Sequence, residues 1–134
     1  MKLQKNTRLA LYSVLEFAAR PGDLIPAAEV AERYGESAHH LAKVLSELAR
    51  AGIVESTRGV GGGYRFSANA RRLTLLDVIR MFEEPGADRA LAGAARTPVD
   101  RALGQVLAEI DQTAIATFGS ITVATMLKMV GRGG

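Results

Sequence analysis

The chain of 134 residues contains no cysteine, and aromatic residues make up only 5% of it. The missing thiol excludes disulfides, thiolate catalysis, thiolate-ligated zinc and all-cysteine iron–sulfur sites. The scarcity of aromatics, with leucine, alanine and valine dominant, points to a mainly helical protein. No apolar run is long enough to span a bilayer. The segment Met1-Lys-Leu-Gln-Lys5 is not followed by the apolar core of a secretory signal. A cytoplasmic protein without a membrane partner is therefore expected. No internal repeat is present.

Hydrophobic residues at 48% and charged residues at 23% describe an ordinary soluble composition. The length suits one domain, or a small domain with an appended dimerisation element. Net charge is +3, and it is unevenly spread. Residues 1–72 hold 11 Lys and Arg against 7 Asp and Glu, whereas residues 73–134 hold 6 against 7. The first part is thus the one suited to a polyanion, although a surplus of four is modest and on its own describes many soluble surfaces.

Ser37 to Phe66 carries the sharpest pattern. Ser37 is placed to cap a helix, its hydroxyl accepting a free amide of the first turn. Leu41, Val44, Leu45 and Leu48 then recur at helical spacing and form one apolar stripe. The opposite face carries His39, His40, Lys43, Ser46 and Arg50, residue types that meet phosphates and base edges. Gly52 is suited to the left-handed conformation that closes a helix. Ile53 to Thr57 and Tyr64 to Ser67 read as short strands joined by Arg58-Gly-Val-Gly-Gly-Gly63. A helix that fits a major groove, followed by a basic glycine-tipped hairpin, reads as a winged helix-turn-helix.

The flanking segments complete that unit. Lys5 to Ala19 reads as a first helix with Leu11, Val14, Leu15 and Ala18 inward, ended by Pro21-Gly22. Pro26 suits the first turn of a second helix with Val30, Ala31 and Tyr34 inward. Gly35-Glu36 makes the turn into the helix opened by Ser37. After the wing, Ala68 to Leu73 is a connector. Thr74 caps a helix to about Glu83 with Leu75, Val78, Ile79 and Phe82 inward, stopped by Glu84-Pro85-Gly86. Ala87 to Arg96 is weakly patterned and reads as a loop. Thr97-Pro98 starts a long helix in which Val99, Leu103, Val106, Ile110, Ala114 and Thr117 fall at spacings of four and three, or nearly so. Such a seam needs a helical partner, and the same helix of a second subunit supplies one. Phe118-Gly119 ends it, and Ser120 caps a last helix through Val130. The division expected is a winged helix-turn-helix over 1–73, a helical dimerisation or sensor region over 74–130, and a flexible tail over 131–134.

Other chemistry finds little support. His39 and His40 are adjacent on a helix and point about 100° apart, so they cannot chelate one ion as an i,i+4 pair does. The glycines from Gly59 to Gly63 match neither a dinucleotide fingerprint nor a P-loop, because Tyr64-Arg65 and a strand follow them. Asp77, Glu83 and Glu84 read as the solvated face and end of a helix, with no nucleophile or base beside them. An enzyme is not expected.

Taken together, Met1-Lys-Leu-Gln-Lys5, Ala27-Ala-Glu-Val-Ala31, Ser37-x-x-His40-Leu-x-Lys43-Val, Ala51-Gly-Ile-Val-Glu55, Arg58-Gly-x-Gly-Gly-Gly63 and Ile121-Thr-Val-Ala124 resemble the Rrf2-type transcriptional regulators over about residues 1–130. The resemblance implies a dimeric winged-helix repressor or activator. It also implies double-stranded DNA as partner, met by Ser37, Ala38, His39, His40 and Lys43 on the helix and by Arg58, Gly61 and Gly62 on the wing. Lys2 and Lys5 would reach phosphates, and Val99, Leu103, Val106, Ile110 and Ala114 would join two subunits.

Many members hold an iron–sulfur cluster through three cysteines between the helix after the wing and the dimerisation helix. Glu84 to Arg101 has none here, no histidine follows His40, and Arg8 stands where some members place an acidic ligand. Asp88 and Asp100 are hard donors and do not replace thiolates. No cofactor is expected. Either the input is another one, or the cysteines were removed by engineering. Two further readings stay open. One is a small-molecule effector bound near Phe82, Leu91 and Leu103, between wing and dimer helices. The other is a protein-interaction module on the same fold.

Overall fold

Helix α1 (Lys5–Ala19) buries Thr7, Leu9, Ala10, Ser13, Val14, Phe17 and Ala18, a face wider than a single stripe. The structure is a computed structural model that describes residues 2–85 and 97–133. The inward face expected at Leu11, Val14, Leu15 and Ala18 is therefore rotated. Leu11 and Leu15 are only half-buried at its margin, while Ala10, Val14 and Phe17 form its centre. The reason is tertiary: α1 packs on four elements, so more than one side is covered. The buried Ser13 hydroxyl is satisfied locally by donating to the Leu9 carbonyl at 2.7 Å.

Helix α2 (Ala27–Tyr34) and helix α3 (Ala38–Arg50) follow, joined through Gly35 at φ 65°, a left-handed turn. Val30 and Ala31 face the core as expected, but Tyr34 does not. It is exposed and stacks on Tyr12 of α1 with ring centroids 4.8 Å apart. Its hydroxyl donates to Glu16 at 2.6 Å. Partial burial and that carboxylate push the Tyr34 phenol up to about 12. A phenol that must keep a polar partner sits at an edge rather than in an apolar centre. On α3, Leu41, Val44, Leu45 and Leu48 are all buried against α1 and α2, as their spacing requires.

Strands β1 (Val54–Thr57) and β2 (Gly63–Phe66) pair antiparallel, with Val54 opposite Phe66 and Thr57 opposite Gly63. Both begin one residue from the expected positions: Ile53 stays outside the ladder, and Gly63 is inside it. A further pairing was not expected. Ile25 exchanges two backbone hydrogen bonds with Tyr64, at 2.8 and 2.9 Å. Ile25 precedes Pro26, which biases it to extended backbone and leaves it free to pair. This close approach explains Gly63, where a Cβ would lie 2.7 Å from the Ile25 carbonyl.

Helix α4 (Leu75–Ile79) is opened by a full capping box, Thr74 and Asp77 each bonding the other's backbone amide. Asp77 is thus a cap residue as well as a solvated one. The regular helix stops at Ile79, short of Glu83, and continues as turns in which Phe82 is half-buried. The loop expected over 87–96 lies outside the described residues. Helix α5 (Pro98–Ser120) starts with a second capping box, Thr97 with Asp100, and runs for 23 residues, about 35 Å. The final helix α6 (Val123–Gly133) is opened by Thr122, whose hydroxyl accepts Thr125 N–H at 3.1 Å, not by Ser120. The chain crosses to it through a bridge between Thr74 and Thr122. Leu73 and Ala70 carbonyls accept its first amides, each at 2.8 Å. The helix continues past Val130 to Gly133.

The result is a mainly helical protein in which a helix-turn-helix and a two-stranded wing precede a long helix. Among the described residues, no helix is long and apolar enough to cross a membrane.

Candidate nucleic-acid interface

The start of α3 is held from three directions. The Ser37 hydroxyl accepts His40 N–H at 3.0 Å, the cap expected from sequence. The Ser37 amide in turn donates to Glu36 Oε1 at 3.2 Å. Lys5 Nζ meets Glu36 Oε2 at 2.9 Å, and the Nε2–H tautomer of His40 donates to Asn6 Oδ1 at 2.9 Å. The Lys5 ammonium and the Ser37 amide hold the Glu36 carboxyl below its ordinary range. The first turn of α1 therefore fixes the first turn of α3.

This arrangement sorts the residues singled out by sequence. Ala38, His39 and Lys43 are exposed on α3, with Ser46 beyond them on the same helix. His40 is half-buried and engaged by Asn6. Arg50 pairs with Glu47 within the helix at 2.9 Å. Lys2 is exposed, whereas Lys5 is committed to Glu36. Lys2, Lys43 and Arg58 have no carboxylate partner among the described residues, unlike Arg20, Arg33, Arg50 and Arg65.

The wing tip runs from Arg58 to Gly62. It is closed by Gly62 N–H donating to the Gly59 carbonyl at 3.0 Å. Gly62 has no room for a side chain, since a Cβ would fall 2.2 Å from the Thr57 carbonyl oxygen. Arg58 and Gly61 are exposed and Gly62 is half-buried. Val60, not selected from the sequence, projects from the tip fully exposed. Asn6, Ile25 and Glu36 were also missed. Only Ile25 carried a local signal, its place before proline.

On α5 no residue is fully buried. Val99, Leu103, Val106 and Ile110 are 75%, 47%, 53% and 53% exposed, and Ala114 is half-buried. An apolar row this open on a 23-residue helix lacks its cover within the described chain. The ligand space expected beside Leu91 involves a residue outside the described ones.

These features define a winged helix-turn-helix regulator, and comparison with known proteins gives the same class. The family model Rrf2, described as an iron-dependent transcriptional regulator, matches residues 3–129. The provisionally assigned HTH-type transcriptional regulator BadM of Rhodopseudomonas palustris is 46% identical over 130 residues, covering 97% of this chain and 83% of that protein. The HTH-type transcriptional regulator IscR of Vibrio campbellii is 38% identical over 85 residues, which are 63% of this chain and about half (51%) of that relative. Among solved structures, oxidized CymR of Staphylococcus aureus superposes with a TM-score of 0.79 at 23% identity, over 95% of this chain and 96% of that one. That likeness concerns the fold. The chain belongs to the Rrf2 family of transcriptional regulators, and the relatives named here are regulators rather than enzymes.

The iron in the family's description meets no cysteine in this sequence and no gathered set of donors among the described residues. The sequence has no thiolate, and both histidines lie on α3. Among the described residues, no three His, Asp or Glu side chains gather as a metal site requires. The protein is accordingly expected to purify colourless and to stay so after anaerobic incubation with iron and sulfide. A stable visible band with stoichiometric iron and sulfide would contradict this. For Glu36 the sign is that of a depressed carboxyl. Its contribution to stability is present above the unfolded-state value and is lost as pH falls through the lower folded value. In Lys5→Ala the NMR titration midpoint of Glu36 is expected to rise toward the ordinary carboxylate range; an unmoved midpoint would show the ion pair to be absent in solution.

Proposed function

We propose that this chain regulates transcription in the cytoplasm by binding a palindromic or near-palindromic operator as a homodimer, without an iron–sulfur cluster. The observation that carries the reading is the capped start of α3, which leaves His39 and Lys43 exposed and without a carboxylate partner among the described residues while its other face is buried. A helix so presented fits a major groove, and an unpaired lysine there donates to phosphate or to guanine acceptors. Arg58 on the wing tip is suited to the adjacent backbone or minor groove. Residues 1–73 then act as the DNA-binding part and 74–130 as the dimerisation or sensor part, the last helix running on to Gly133.

Dimerisation follows from α5. The row Val99, Leu103, Val106 and Ile110 is open to solvent, and a second copy related by a two-fold axis covers it with the same residues. Two α3 helices would then be presented symmetrically, which demands half-sites about one helical turn apart.

The test is selection of bound fragments from a genomic library, followed by titration of the selected operator. Lys43→Ala is expected to weaken specific binding by roughly 1–3 kcal/mol if Lys43 reads a base. Arg58→Ala is expected to weaken binding evenly across sequences and to flatten the salt slope. Unchanged affinity in both variants would remove these residues from the interface. Light scattering of the unaltered protein at micromolar concentration is expected to give a dimer, and Leu103→Glu with Ile110→Glu a monomer, because the charges would be buried in the seam. A monomeric unaltered protein would refute the role of α5.

A further inference from the structure

We propose that Glu83 is a positioning residue for operator binding, acting through the first turn of α1 on the start of α3. The inference rests on the DNA-binding reading above and deepens it. Glu83 lies in the turns after α4 and is half-buried. Its Oε2 accepts the Gln4 amide at 2.9 Å and also accepts the hydroxyl of Thr7, which is fully buried. Gln4 is the cap position of α1, yet its own side chain caps nothing, and the first turn of that helix holds no acidic residue. The free amides of a helix start carry partial positive charge and want an anion. Glu83 supplies it from 79 residues further along the chain.

The same turn of α1 grips α3. Lys5 holds Glu36, whose other carboxylate oxygen takes the Ser37 amide, and Asn6 holds His40. Residues 4–7 are thus bound on one side by a carboxylate from beyond the wing and on the other by the cap of the putting-forward helix α3. Both bonds need an acceptor oxygen at the Glu83 position, so withdrawing that side chain releases the turn that sets the register of α3. Glu83 touches no nucleic acid in this scheme. It lets the part of the chain after the wing govern the pose of α3 without a contact of its own to DNA.

The experiment measures operator affinity by fluorescence anisotropy, with circular dichroism to confirm folding at the assay temperature. Glu83→Ala is expected to bind about five- to tenfold more weakly, with an unchanged salt slope because no phosphate contact is lost. Glu83→Gln keeps an acceptor oxygen and is expected to recover most of that loss. Glu83→Ala combined with Asn6→Ala is expected to bind no more weakly than the weaker single variant, since both break one chain of contacts. Combined with Lys43→Ala, the losses are expected to multiply. A folded Glu83→Ala protein with the affinity of the unaltered one overturns the inference, as do multiplying losses with Asn6→Ala. Should Glu83→Ala fail to fold, Thr7→Val removes one of the two donors, and its unchanged affinity overturns the inference in the same way. If the unaltered protein selects no DNA, the DNA-binding reading falls and this inference with it.

Discussion

The rest of the molecule depends on the burial of α1. Ala10, Val14 and Phe17 are almost completely shielded, and they are shielded by elements from both halves of the chain. Helix α3 and strand β2 pack on α1 from the first half, α4 and α6 from the second. Removing apolar area of this kind from water stabilises by about 25 cal/mol per Å² and has no direction of its own. Direction comes from polar groups at the rim of that core, where Thr7 meets Glu83, Tyr34 meets Glu16 and His40 meets Asn6.

That rim explains why the helix-turn-helix keeps its geometry. A short helix such as α2 is marginal in isolation, and so is a two-stranded hairpin. The hairpin gains a third partner in Ile25, whose backbone pairs with Tyr64. Helix α2 gains a lateral brace in Tyr34, which stacks on Tyr12 and bonds Glu16. The charges are sorted by the same packing. Lys5, Arg33 and Arg65 are tied to carboxylates, whereas Lys2, Lys43 and Arg58 have no carboxylate partner among the described residues.

Membership of the Rrf2 family sits beside a ligand chemistry that departs from the family's iron-dependent description. The two are compatible because fold and input are separate physical problems. The winged helix and the long helix require apolar spacing, caps and small residues at tight turns, all of which this chain retains. A cluster requires soft donors converging on one point, which this chain lacks. Losing the donors leaves the packing that presents α3 and α5 untouched.

The sequence by itself determined what is local. The stripe Leu41, Val44, Leu45 and Leu48, the Ser37 cap, the Thr74 and Thr97 helix starts and the glycine wing tip were all legible, because spacing and capping act within a few residues. The apolar row of α5 was legible for the same reason, as was the family likeness. Only the tertiary structure decided which face of α1 is inside, since that depends on four neighbours and not on the helix's own pattern. It also decided that Glu83, which looks like a solvated helix end, caps a helix some 79 residues earlier. It tied Lys5 to Glu36 and His40 to Asn6. A carboxylate or an ammonium in a sequence announces a charge but not its partner, and the partner is chosen by where the buried apolar surfaces bring the chain together.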